Sequence, residues 1–121
     1  MPVINVTKKT WLATKVHKAD KFLTRLVGLL KRTRIGPEEA LWLIPSKGIH
    51  TIGMKFPIDV VFLTKRKRVT KVAHEVPRRR IAMALLADSV LELPAGTAAR
   101  TGTRKGDQLA LESSQIAATA C

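Results

Sequence analysis

The chain has 121 residues, with 22 Lys and Arg against 9 Asp and Glu, giving a formal charge of +13. That length fits one domain able to bury a core without a disulfide or metal staple, and the lone Cys121 excludes an internal disulfide. No apolar run approaches a membrane span, and Met1–Leu12 alternates polar and apolar residues around Lys8 and Lys9, so the chain is expected to stay in the cytoplasm.

In chain order, Val3–Val6 predicts a short strand, Thr7–Thr10 a polar turn, and Trp11–Val16 a returning strand, together an opening hairpin. Asp20 suits a helix N-cap. Phe22, Leu23, Leu26, Leu29 and Leu30 then recur at helical spacing, predicting a helix that ends near Lys31 and Arg32. After the turn at Ile35–Glu39, Ala40–Ile44 predicts a strand stopped by Pro45. Ser46-Lys47-Gly48 is expected to form a turn, and His50, Thr51 and Met54 to sit on a glycine-punctuated loop leading to the next strand. Ile58–Leu63 consists almost wholly of strand formers and is the strongest strand signal. Lys65–Arg68 forms the basic tip of a hairpin whose second strand, Val69–Val76, alternates apolar and polar residues and should keep one wet face.

Ile81–Leu86 is ambiguous, either an irregular apolar segment or one helical turn. Ser89–Leu93 predicts a strand ended by Pro94, Thr97–Arg100 a short helix closed by Gly102, and Gln108–Leu111 a last strand. Residues 113–121 lack an apolar pattern and should form a disordered tail, leaving 1–112 as the single domain. Strands outnumber helices and connections are short. The expected fold class is α+β: a small, strongly curved, mostly antiparallel β-sheet or barrel with one main helix and a short second helix.

Three segments carry a family resemblance. The first is the helix with Arg25, Gly28, Leu29 and Arg32. The second runs from Ile49-His50-Thr51 through Met54 to Pro57-Ile58-Asp59-Val60 and Phe62-Leu63. The third is Val90-Leu91-Glu92-Leu93-Pro94-Ala95-Gly96, followed by Gly106-Asp107. In order and spacing these resemble the DUF192 family, in its branch with His-Thr in the central motif. Many relatives of that branch carry Cys where Ser46 stands, a departure that weakens any thiol or metal reading of the site. The resemblance implies a compact β-rich domain and no particular reaction.

The residues themselves nominate a polar pocket of His50, Thr51, Met54, Asp59 and Glu92. Asp59 and Glu92 stand between apolar neighbours, where a carboxylate is costly unless it is hydrogen-bonded. Two carboxylates beside a histidine suit acid/base chemistry or cation binding. The plainer alternatives are that both face solvent, or that Asp59 accepts backbone N–H groups and braces its loop. For His50 the favoured reading is a structural hydrogen bond, and for Met54 a core plug. His17, His50 and His74 have no ligand spacing, so neither metal nor cofactor is expected. No phosphate-binding, dinucleotide-binding or nucleophile-elbow motif is present.

These readings favour a non-enzymatic binding or accessory domain whose partner is a protein or a small polar ligand. The alternatives are a hydrolase-like acid/base enzyme using His50 and Asp59, and electrostatic binding to nucleic acid or anionic lipid. The last would use four basic clusters, at 31–34, 65–68, 78–80 and 100–105, provided that they converge on one face. The few aromatic residues all lie in apolar context and argue against a stacking platform for single-stranded nucleic acid.

Overall fold

A computed structural model describes residues 2–19, 36–45, 48–50, 56–77 and 81–111. The strands are β1 (Val3–Asn5), β2 (Thr10–Ala13), β3 (Lys15–Ala19), β4 (Glu39–Leu43), β5 (Gly48–His50), β6 (Ile58–Leu63), β7 (Val69–Val76), β8 (Ile81–Met83), β9 (Ser89–Pro94) and β10 (Leu109–Ala110). Among the described residues there is one helix, α1 (Thr97–Thr101). The helix expected over residues 20–32, the loop residues 51–55 and the tail 113–121 lie outside the described residues.

The strands form three sheets, ordered β10-β1-β2, β3-β4-β9-β6-β7 and β5-β8. All pairings are antiparallel except β3 with β4. A parallel pair needs a crossover of a dozen or more residues, and the chain between Ala19 and Glu39 provides that length.

Of the two expected forms, curved sheet or barrel, the described residues do not form the barrel, since their sheets do not close. The segment read as one strand over Trp11–Val16 is two, broken at Thr14, where the chain leaves the first sheet for the second. At the other seam the first sheet meets β7 through one isolated bridge, Arg68 to Gln108. Main-chain bonds beside it run from Val69 N–H to Asp107 C=O (2.8 Å) and from Leu109 N–H to Lys67 C=O (2.9 Å).

Strand β6, between β9 and β7, is buried at every residue because the five-stranded sheet is covered on both faces. One face carries Trp42, Val61, Leu63, Leu91 and Leu93, which pack with Val3, Leu12 and Leu109 of the first sheet. The other carries Leu43, Ile58, Val60, Phe62 and Val90, which pack with Ala82 of β8 and with Ala87. Covering by β8 was not legible, since Ile81–Leu86 carries no clear period. It forms a strand paired with β5 and then a tight turn closed by Ala87 N–H to Ala84 C=O (3.1 Å). Gly48, expected in a turn, is the first residue of β5.

Helix α1 matches its expected position. Gly96 precedes it at φ 92° and Gly102 ends it at φ 72°, left-handed values that glycine adopts without steric cost. The Thr10 hydroxyl donates to the Thr101 carbonyl (2.8 Å) and fixes the helix to β2.

Candidate functional site

Asp59, the second residue of β6, lies opposite Leu93 of β9 and projects from the face that carries Val61 and Leu91. It is 0% exposed. Its Oδ1 accepts the main-chain N–H of Glu75, and its Oδ2 accepts that of Ala98, both at 2.8 Å. Both donors exist for identifiable reasons. Between Ile58↔Val76 and Val60↔Ala73 the β7 strand holds one extra residue, a bulge in which Glu75 takes φ 47°. The bulge turns the Glu75 N–H out of the ladder towards Asp59. Ala98 lies in the first turn of α1, whose N–H groups have no intrahelical partner. The N-cap is Gly96, which has no side chain to supply the missing oxygen. Asp59 supplies it from another strand, so its carboxylate joins bulge, sheet and helix.

Glu92 lies one residue out of phase with Asp59. It stands opposite Val60 of β6 and Leu41 of β4 and so projects from the other face, towards the layer that includes β8. It is 3% exposed. The solvent-facing alternative for the two carboxylates is therefore corrected: both are buried, on opposite sides of one sheet.

His50 ends β5, with its backbone opposite Ile81 of β8. Through Ala82 that ribbon packs on the Glu92 face. The structure thus places the strand bearing His50 on the same side as Glu92, with Asp59 behind the sheet. Thr51 and Met54 lie outside the described residues.

A third buried carboxylate was not nominated for the site from sequence. Asp107 accepts Asn5 Nδ2 (2.9 Å) and the Arg104 N–H (3.2 Å) on Oδ2, and Lys8 Nζ on Oδ1 (2.8 Å) and Oδ2 (3.1 Å). Burial pushes its pKa up, but the hydrogen bonds from Asn5, Lys8 and Arg104 and the charge of Lys8 outweigh it, leaving the carboxyl below its ordinary range. The signal available in sequence was Gly106-Asp107, a turn dipeptide of the kind whose carboxylate gathers nearby donors. Asn5 gave no hint, because its partner is 102 positions away.

Elsewhere, an open concavity of about 390 Å³ is lined by Lys15, His17, Gly36, Pro37, Glu38 and Glu39, with His17 Nε2 3.1 Å from Glu39 Oε2. His74 and Glu75 are both exposed, a solvated pair at the bulge of β7. Among the described residues no three His, Cys, Asp or Glu side chains cluster as a metal site. Nor is any described helix long and apolar enough to cross a membrane.

The fold recurs in solved structures. One is a protein of unknown function from Novosphingobium aromaticivorans, with TM-score 0.79, 24% identity, and coverage of 92% of this chain and 84% of that one. Another, described as a candidate transcription regulator, comes from Sinorhizobium meliloti, with TM-score 0.76, 21% identity, and coverage of 90% and 89%. In sequence, a UPF0127 protein of Pyrococcus furiosus is 29% identical over 113 residues, which cover 88% of this chain and 95% of the relative. The family model described as "Uncharacterized ACR" matches residues 3–111, and the chain belongs to that family, DUF192.

Proposed function

We propose that the protein is a non-enzymatic binding or accessory domain that meets a small polar ligand or a partner protein on the side of the sheet bearing Glu92 and the β5–β8 ribbon. One observation carries this reading. The carboxylate that an acid/base mechanism would pair with His50 is Asp59, and both its oxygens already hold main-chain N–H groups. Glu92 remains on the side of the strand bearing His50, so of the residues nominated from sequence Asp59 is set aside as a structural brace. Thermal-shift and isothermal titration screens across divalent metals, sugars and anions test it. The expected result is a ligand whose effect is lost in Glu92→Gln and His50→Ala but retained in Asp59→Asn. A blank screen together with no partner in a pull-down removes the reading.

A second reading, binding to an anionic surface such as nucleic acid or acidic lipid, is favoured by a different observation. Two of the four basic clusters meet. Arg68 Nη1 donates to the Gly106 carbonyl at 2.8 Å, bringing the 65–68 hairpin tip against the turn that holds Arg104 and Lys105. Lys65, Arg66, Arg68, Arg104 and Lys105 are all exposed there. The clusters at 31–34 and 78–80 lie outside the described residues. Such binding should weaken steeply as salt rises.

A further inference from the structure

The second reading names a charge and leaves open what the charged end docks on; the inference here rests on that reading and deepens it. Beside the basic end stands an apolar feature that electrostatics alone does not require. The turn after β8 exposes Leu85 (77%) and Leu86 (83%), preceded by Met83 (55%). It is fixed in place rather than loosely attached. Ala87 N–H closes the turn onto Ala84 C=O, and Asp88 N–H donates to Leu63 C=O at 2.7 Å, immediately before the 65–68 tip. Lys71 Nζ donates to the Met83 carbonyl at 2.9 Å, which sets a cation directly behind the apolar prong. Asp88, half-buried, is the acidic side chain of that turn, and the exposed charges of the adjoining tip are Lys65, Arg66 and Arg68.

We infer that this end of the molecule is a docking surface for an anionic lipid bilayer, with Leu85 and Leu86 entering the headgroup boundary while the surrounding Lys and Arg side chains contact lipid phosphates. Charge complementarity selects the anionic surface, since the chain carries +13. The aliphatic prong selects lipid over nucleic acid: leucine and methionine offer neither a ring for stacking on bases nor a hydrogen bond for reading them. Exposed leucines beside basic residues match the interfacial pattern, in which a small apolar insertion and electrostatic attraction act together.

The test is co-sedimentation of the full chain with phosphatidylcholine vesicles, with and without phosphatidylserine, and with duplex DNA as competitor. Binding is expected only with phosphatidylserine, and it should fall with added salt. The Leu85→Ser/Leu86→Ser variant should bind about tenfold more weakly or worse, with its melting temperature unchanged because both side chains already face water. Lys65→Ser/Arg66→Ser should weaken binding as well. Salt-sensitive vesicle binding that survives loss of the two leucines overturns the inference while leaving the electrostatic reading standing. Tight DNA binding without vesicle binding has the same two consequences. Absence of binding to either probe overturns both.

Discussion

Asp59 caps a helix to which it does not belong: its Oδ2 receives the Ala98 N–H at 2.8 Å across 39 residues of chain. The opposite oxygen receives the Glu75 N–H at the same distance. One side chain thereby satisfies a helix start that ends in glycine and a bulge that the ladder cannot serve. A carboxylate tolerates complete burial when its lone pairs meet donors, and backbone N–H groups do so without adding a second charge.

Removing that latch should cost stability, because it strands one buried and one part-buried N–H group at once. Asp59→Ala is expected to lower the unfolding free energy by about 2–4 kcal/mol, read as a shift in the urea midpoint at unchanged m-value. Asp59→Asn should cost less, since its one carbonyl oxygen can still hold one of the donors. A loss no larger than that of a typical surface substitution would show that the N–H groups find other acceptors.

The carboxyl of Asp107 gives the domain an acid limb. Its folded pKa lies below the ordinary value of 3.8, so the folded state holds this proton less readily than the unfolded chain does. The stabilisation is therefore complete above the unfolded value and is lost as pH falls through the folded one. Urea midpoints measured from neutral pH downwards should begin to drop just under pH 4. Asp107→Asn should flatten part of that drop while lowering stability at neutral pH. Lys8→Ala should do the same more weakly, since it leaves the Asn5 and Arg104 bonds in place.

The strands legible in sequence were those whose own residues decide the matter. Ile58–Leu63 reads as a buried strand because its apolar residues run without interruption, and the cover on both faces is what that run requires. Thr97–Thr101 was legible from the glycines at either end. What was not legible depends on distant partners. Thr14 becomes a break only because two sheets meet there, and Ile81–Met83 becomes a strand only because Gly48–His50 lies beside it. The grouping of Asp59 with Glu92 turned on phase. Both are buried as their cost demands, but the offset pairing Asp59↔Leu93 and Val60↔Glu92 sends them to opposite faces. Adjacency along two predicted strands carries no information about that offset.

Backbone conformation at the bulge supplies the last expectation. Glu75 holds φ 47°, a left-handed value that costs a non-glycine residue about 1 kcal/mol. Its side chain is exposed, while its N–H does the structural work. Glu75→Gly keeps the N–H and removes the steric cost, offset in part by the greater freedom of glycine in the unfolded chain. It should leave stability unchanged or raise it by up to about 1 kcal/mol. Gly96→Ala is the converse. A Cβ there meets nothing within 4 Å, so space is not the issue, but φ 92° is a conformation that alanine adopts only with strain. A loss of about 1 kcal/mol or more is expected from that substitution, measured by the same denaturation series. Equal effects of the two variants would mean that φ does not set the energetics at either position, and that the bulge is held by its side-chain environment instead.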